Sequence, residues 1–262
     1  MVCLRIERNN KMMQQSEYTI LSTRMVNRHV AAIEIQGPAG AITAPGQFVN
    51  ILLDGKYLRR PISVADYDAS GRISLLIDIV GEGTRMLADM EAGTRLDVLT
   101  GLGNGFSTDI LSDRPVLISG GIGIAPLIGL ARRLRAEGKH PVAVAGFNSG
   151  ADAFGVELFR EIGVECKVAV MQGDLPGAVK GNAIDAALSL YGEPEYFYSC
   201  GPLPMMRALC ERLHCDGQLS LDARMGCGFG ACMCCSVHTH HGPRRICKEG
   251  PVFTKNELVW NS

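Results

Sequence analysis

Residues 222–237 read D-A-R-M-G-C-G-F-G-A-C-M-C-C-S-V, and after a polar loop residues 245–253 read R-I-C-K-E-G-P-V-F. Cys227, Cys232 and Cys235 stand at C-x4-C-x2-C, and Cys247 follows after eleven intervening residues. This is the opening spacing of one kind of [2Fe–2S] ligand set. Each iron of such a cluster takes two thiolates, so a tight loop has to bring three sulfurs to one side while its backbone N–H groups face the sulfides. Gly226, Gly228 and Gly230 allow the positive φ that such wrapping demands. A zinc site is the alternative, since the x4 and x2 steps do not exclude it. A Rieske centre needs two histidine ligands in its own spacing, which His238 beside Cys235 does not supply. Four inert cysteines at this spacing among glycines form the weakest reading.

Outward from that stretch, the 262 residues suffice for two compact domains and a small appendage. A hydrophobic share of 47% with 20% charged residues describes an ordinary globular chain, and a net charge of −1 gives no reason to expect nucleic acid or an anionic membrane surface as a partner. Ten cysteines need a reason, and four thiolate ligands would favour a reducing compartment, so a cytoplasmic location is expected. Cys3, Cys166, Cys200, Cys210, Cys215 and Cys234 show no disulfide-framework spacing. The N-terminus has no continuous apolar core and reads as a polar extension over residues 1–15 rather than a secretory signal. The uncharged run at 115–131 is broken by Gly120, Gly121, Gly123, Pro126 and Gly129, which argues against a membrane span.

Between residues 16 and 110 the chain shows six short β-rich runs separated by turn residues, the pattern of an antiparallel barrel, with a helix at 84–90 capping one end. Arg60-Pro61-Ile62-Ser63 begins one of these strands; Pro61 removes a ladder donor and so places the segment at an edge or opening. An arginine there can hold a diphosphate, and a serine three residues on can reach a flat ring. Gly81-Glu82-Gly83-Thr84 offers backbone N–H groups and a helix start to phosphate.

From 111 to 217 strands alternate with helices, as in a doubly wound parallel α/β domain whose ligands sit at the carboxyl ends of the strands. Ser119-Gly120-Gly121-Ile122-Gly123-Ile124-Ala125-Pro126 lies between a strand and a helix, where glycines let pyrophosphate approach the backbone. Tyr198-Ser199-Cys200-Gly201-Pro202 closes the last strand of this alternation; a merely buried thiol is the alternative reading of Cys200. The loop 146–152 after the second strand carries no Lys or Arg for a 2′-phosphate, which favours NAD over NADP. Residues 218–262 complete the chain as a small cluster domain.

Taken together these motifs carry a resemblance. R-P-I-S and G-E-G-T inside a six-strand barrel resemble the FAD-binding domain of the ferredoxin reductase superfamily, and Pro45-Gly46-Gln47-Phe48-Val49 matches it as barrel structure. The resemblance implies that Arg60, rather than its neighbour Arg59, contacts the FAD pyrophosphate and Ser63 the isoalloxazine edge, with Pro61 and Ile62 among the FAD-binding residues. Leu76, Ile77 and Asp78 would line the flavin and ribitol, and Gly83 and Thr84 would hold the phosphate. For NAD it implies Gly120, Gly121 and Gly123 at the pyrophosphate and Cys200, Gly201 and Pro202 beside the nicotinamide. The linker at 101–106 resembles one that faces both cofactors; a plain flexible connection is the alternative.

C-G-F-G-A-C-M-x-C-S-V followed by R-I-C-K-E-G-P-V-F resembles the iron–sulfur segment of the electron-transfer subunits of dihydroorotate dehydrogenase B, and the three modules follow that family along almost the whole chain. The resemblance implies Cys227, Cys232, Cys235 and Cys247 as cluster ligands and FAD, a [2Fe–2S] cluster and NAD as cofactors. It also implies electron transfer to NAD⁺ from an FMN-containing catalytic subunit in pyrimidine (UMP) biosynthesis, in a heterotetramer of two plus two. Cys234, where the family usually has a small residue, and the histidines His238, His240 and His241 depart from the pattern. They leave open a divergent NAD(P)H reductase subunit of another iron–sulfur flavoprotein complex; a zinc-stabilised, non-catalytic binding module is the alternative of another class.

Overall fold

The computed structural model describes residues 13–260. Cys3 and most of the expected N-terminal extension lie outside them; its last residues do not form an extension, because the first strand already begins at Gln14 and pairs there with Thr100.

Six strands close an antiparallel barrel: β1 (Gln14–Met25), β2 (Val30–Gln36), β3 (Phe48–Ile51), β4 (Arg60–Tyr67), β5 (Arg72–Asp78) and β6 (Arg95–Leu102), in the spatial order β1-β2-β5-β4-β3-β6. Alternation fixes which side faces in. Tyr18 and Ile20, Ile33 and Ile35, Ile73, Leu75 and Ile77, and Leu96 and Val98 share one buried interior with Val49, Ile51 and Val64. Helix α1 (Glu82–Ala88) lies after β5 and starts two residues earlier than the sequence suggests, with Leu87 entering the same interior.

The second unit is a seven-stranded sheet. Strands β7 (Val116–Gly120), β8 (Val142–Ser149), β9 (Glu165–Gln172), the two-residue β10 (Val179–Lys180), β11 (Tyr196–Cys200) and β12 (Asp216–Ser220) run parallel. They alternate with helices α2 (Ala125–Ala136), α3 (Val156–Glu161), α4 (Ala183–Tyr191) and α5 (Leu203–Arg212). The two faces have separate cores. Leu117, Ala143, Ala145 and Tyr198 pack with Leu127, Leu130, Leu134 and Phe159 from α2 and α3. Val116, Ile118, Val144 and Phe197 pack with Ile184, Ala187, Met206 and Leu209 from α4 and α5. Helix α3 is shorter than the expected 153–162, because Gly155 sits at φ 75 ahead of it and Phe154 turns in against Phe147.

The strand order β10-β9-β8-β7-β11-β12 reverses direction of growth between β7 and β11, which puts the topological switch point at the ends of those two strands, Gly120 and Cys200. Helix α2 also lies on barrel strand β4, where Arg132 Nε donates to Asp66 Oδ2 at 2.7 Å.

The cysteine segment leaves this sheet and comes back to it. After β12 the chain forms the cysteine loop and a hairpin of β13 (Ser236–Thr239) and β14 (Gly242–Arg245), then returns as β15 (Val252–Thr254), which adds antiparallel to the edge of β12. The sheet therefore runs through the expected boundary at 217/218. The linker at 101–106 does not face the two clefts described below. Asn104 Nδ2 donates to the carbonyls of Glu249 (3.0 Å) and Val252 (2.7 Å) and its Oδ1 accepts from Val252 N–H, while Phe106 meets Tyr198 edge-to-face at 5.6 Å. It is a strut holding the returning segment. No described helix is long and apolar enough to cross a membrane.

Candidate cofactor sites

Two cavities meet at the switch point. One, of 510 Å³, lies between the barrel and the sheet. Pro61, Ile62 and Ser63 of β4, Leu76, Ile77 and Asp78 of β5, and Thr84 of α1 line it from the barrel side. Gly120, Gly121, Gly123, Cys200, Gly201 and Pro202 line it from the sheet. The second cavity, of 420 Å³, shares Asp78, Gly120, Gly121, Ile122 and Pro202 with the first and continues over Gly146, Phe147, Asn148, Asp152 and Asn182. A flat group in the first and an extended one in the second would touch across the Gly120–Ile122 turn.

Arg60 and Gly83 are not among the residues lining either cavity, yet they lie against each other: a Cβ on Gly83 would fall 2.2 Å from Arg60 Nε. The arginine and the glycine turn thus form one surface next to the first cavity, although β4 and α1 are separated in sequence. Arg60 Nη1 donates to the Leu58 carbonyl at 2.6 Å. Arg59 is engaged elsewhere, with Nη1 2.9 Å from Asp97 Oδ1 and within hydrogen-bond reach of the Asn50 and Asp97 carbonyls. That pairing holds the Asp97 carboxyl below its ordinary range. The Thr84 hydroxyl accepts from Val80 and Gly81 N–H, so it closes its own turn.

On the sheet side two turns touch. A Cβ on Gly123 would lie 2.1 Å from the Cys200 carbonyl oxygen, and one on Gly201 would lie 2.9 Å from Gly120 N. Only glycines let the β7 and β11 ends come together this closely. Burial, and then the charge of Asp222, push the Cys200 thiol up to about 12, so it remains protonated at neutral pH. Asp222 itself lines the first cavity, a position that sequence reasoning missed; its only signal was that it opens the cysteine segment. Arg28 and His29, from the turn between β1 and β2, line the second cavity and were missed as well.

The four expected ligands stand as two pairs. Ala231 N–H and Cys232 N–H point at Cys227 Sγ (3.2 and 3.5 Å), and Cys227 N–H points at Cys232 Sγ (3.4 Å). Cys247 N–H points at Cys235 Sγ (3.4 Å). Burial opposes a thiolate at Cys227, but the N–H groups of Phe229, Cys232 and Ala231, with the Cys232 side chain, outweigh it and hold the thiol down at about 6. Cys247 goes the other way: burial, and then Cys235 beside it, push it up to about 12. Among the described residues no three His, Cys, Asp or Glu side chains are arranged to hold a single metal ion. Two sulfur pairs among inward-pointing N–H groups fit a two-iron cluster, in which each iron takes two thiolates and the amides face anionic sulfur.

Cys227 and Cys232 lie toward solvent and Cys235 and Cys247 are buried. The Cys234 thiol donates to the Arg224 carbonyl at 3.7 Å. His238, His240 and His241 are exposed on the hairpin. The loop is tied to the barrel by Asn50, fully buried on β3, whose Nδ2 donates to the Cys227 carbonyl at 3.2 Å. Asn50 pairs across the ladder with Pro61, which lines the first cavity.

A family model described as the iron–sulfur cluster binding domain of dihydroorotate dehydrogenase B matches residues 222–259. The electron transfer subunit of dihydroorotate dehydrogenase B (NAD(+)) from Fusobacterium nucleatum is 36% identical over 228 residues, covering 82% of this chain and 86% of that protein. The subunit of the same name from Shouchella clausii is 35% identical over 94% of this chain and 98% of its own. Among solved structures, an NADH-dependent reduced ferredoxin-NADP oxidoreductase superposes with a TM-score of 0.83 at 28% identity, covering 92% of this chain and 89% of that one. The ferredoxin reductase of a carbazole 1,9a-dioxygenase gives 0.65 at 25%, covering 76% and 64%. Identity at this level over nearly the full length of both chains settles the family: this chain belongs to the electron-transfer subunits of dihydroorotate dehydrogenase B.

Proposed function

We propose that this chain is the NAD-linked flavoprotein subunit through which a catalytic dihydroorotate-oxidising partner delivers its electrons to NAD⁺ in pyrimidine biosynthesis. The observation that carries this is the meeting of two cavities at Gly120–Ile122, with a two-pair cysteine loop bonded to the wall of the first through Asn50. When bound, a flavin supplies the conversion between hydride transfer, which nicotinamide requires, and the single-electron exchange of an iron–sulfur cluster.

The chain's own residues hold these groups in order. Arg60 meets the FAD diphosphate beside the open backbone of Gly83, and Ser63 and the β5 residues Leu76, Ile77 and Asp78 bound the ring. Thr84 shapes the phosphate turn through its own hydroxyl closure and offers backbone rather than side chain to the ligand. Gly120, Gly121 and Gly123 admit the NAD pyrophosphate, and Cys200, Gly201 and Pro202 set the depth at which the nicotinamide rests. Cys227 with Cys232, and Cys235 with Cys247, each hold one iron. Residues 16–110, 111–217 and 218–262 serve as flavin, nicotinamide and cluster modules, the last sharing its edge strands with the second. A cytoplasmic heterotetramer with two FMN-containing catalytic subunits is the assembly this reading calls for, and the pyrimidine chemistry belongs to that partner.

The deciding experiment is co-purification with the catalytic subunit followed by an assay of dihydroorotate-dependent NAD⁺ reduction. A complex loaded with FAD and cluster that never forms NADH from dihydroorotate would end the proposal. It would favour instead a reductase working with another partner, as the likeness to the ferredoxin-NADP oxidoreductase allows.

Three variants probe the site assignments. Arg60→Ala should weaken FAD retention roughly 10- to 100-fold, the worth of a charge-assisted hydrogen bond to phosphate, measured as flavin stoichiometry after gel filtration. Arg59→Ala should instead keep its flavin and lose thermal stability, because Arg59 answers Asp97 and two carbonyls. Cys234→Ala should leave the visible absorbance of the cluster unchanged, since that thiol faces Arg224; loss of the bands would move the ligand set.

A further inference from the structure

The second cavity has a wall that does not come from its own domain. Arg28 and His29 reach it from the barrel, opposite Asn148, Asp152 and Asn182. Asp152 gathers that turn. Its Oδ1 accepts from Arg28 Nη2 at 2.8 Å and lies 4.0 Å from His29 Nδ1, its Oδ2 accepts from Ser149 Oγ at 2.7 Å, and its carbonyl accepts from Asn27 Nδ2 at 3.1 Å. The aspartate side chain is 14% exposed and the arginine 73%. The cation is therefore open to the cavity, while the carboxylate holding it is fixed at its base. The Ser149 hydroxyl, followed by Arg28, keeps that carboxyl below its ordinary range and so ionised at neutral pH.

In a doubly wound domain the segment after the second strand is where the adenosine ribose of a dinucleotide lies. Here β8 is that strand; Asn148 and Ser149 form its end, and Gly150 to Asp152 follow it. An unengaged arginine beside a ribose is a receptor for a 2′-phosphate, because its fork matches phosphate oxygens. The absence of Lys and Arg from the loop itself therefore does not explain a preference for NAD, since a cation arrives from the other domain. We infer that Arg28 is a latent 2′-phosphate receptor and that Asp152, by engaging it, is the residue that excludes NADP(H). This rests on the reading of the cavity as the nicotinamide dinucleotide site.

Asp152 can exclude the phosphate in two ways, and they separate experimentally. Pure repulsion would be relieved by removing the carboxylate whatever stands at position 28. Capture of Arg28 predicts that the relief depends on Arg28, a coupling that a double-mutant cycle isolates. The FAD-loaded protein is titrated calorimetrically with adenosine 5′-monophosphate and with adenosine 2′,5′-bisphosphate, for the wild type, Asp152→Asn, Arg28→Ala and the double variant. Asp152→Ser serves as a second neutral replacement should Asn disturb the turn. NADPH oxidation with ferricyanide is the parallel readout.

The wild type should favour the monophosphate. Asp152→Asn should raise the affinity for the bisphosphate relative to the monophosphate by roughly tenfold or more, the scale of one charge-assisted hydrogen bond, and NADPH oxidation should rise with it. The double variant should lose that gain. A gain of the same size in the double variant, or none in either neutral replacement, would overturn the inference while leaving the NAD site in place. A wild type that binds neither nucleotide would remove the site itself, and the inference with it.

Discussion

Cys232→Ser is expected to abolish the visible absorbance of the cluster and, with it, dihydroorotate-dependent NAD⁺ reduction in the complex. A serine hydroxyl is a hard, weakly acidic ligand where an iron–sulfur centre needs a soft thiolate. Cys232 is one of the two sulfurs of its pair, and its partner Cys227 already takes hydrogen bonds from Ala231 and Cys232 N–H, so no spare donor stands ready to replace it. Cys234 is near in sequence but points to the Arg224 carbonyl, and bringing it round would require the loop at Met233, which holds φ 61, to be rebuilt. The loss of transfer should exceed the ~10–100-fold that removing an outer partner of a metal ligand costs. NADH oxidation by ferricyanide at the flavin should survive, since neither cavity includes Cys232. Loss of both activities together, with normal FAD content, would show that the cluster is not a separate terminus.

Gly123→Ala should have the reverse signature. Its Cβ would be placed 2.1 Å from the Cys200 carbonyl oxygen and 2.4 Å from the carbonyl carbon, both backbone atoms at the end of an interior strand of the sheet. No side chain can rotate to make room, so the β7 turn and the Cys200–Pro202 turn must move apart. A displacement of about 1 Å between reacting groups can cost about 100-fold in rate, and overpacking of this kind destabilises by about 1–3 kcal/mol. kcat/KM for NADH with ferricyanide should therefore fall by about two orders of magnitude, with a lower Tm and an intact cluster spectrum. Gly121→Ala is the control. Gly121 has φ +54 but open space beyond its Cα, so its cost is backbone strain rather than collision. If the two variants behaved alike, the tight contact of the turns would not be what matters at Gly123.

What could be read in the sequence was what the chain encodes locally. The C-x4-C-x2-C spacing, the R-P-I-S strand start, and the glycines between β7 and α2 each carry their chemistry within a few residues; the structure sets Pro61, Ile62 and Ser63 opposite Gly120, Gly121 and Gly123 along one cavity and the four cysteines in two pairs. Arg59 and Arg60 were separable in sequence only by resemblance; in the structure the difference is physical, because Asp97 on β6 engages the first and Gly83 leaves the second uncovered. The features that escaped depend on distant partners. Strand β15 is a three-residue run, too short to be read as a strand until β12 offers it an edge. Arg28 lies 124 residues from the aspartate it engages, on a turn whose composition is that of any turn. The linker at 101–106 has the glycines of a flexible connection, yet Asn104 turns it into a strut through bonds to Glu249 and Val252.

The return of the chain at β15 bears on how the cysteine loop is held. Gln218, Leu219 and Ser220 face Thr254, Phe253 and Val252, so both feet of the segment between them are clamped side by side by main-chain bonds that owe nothing to iron. Small metal-dependent domains gain their shape only as the ion arrives. Here the two ends of the cysteine segment are joined by strand pairing as well, so the loop has an anchor in the main sheet besides its own cysteines.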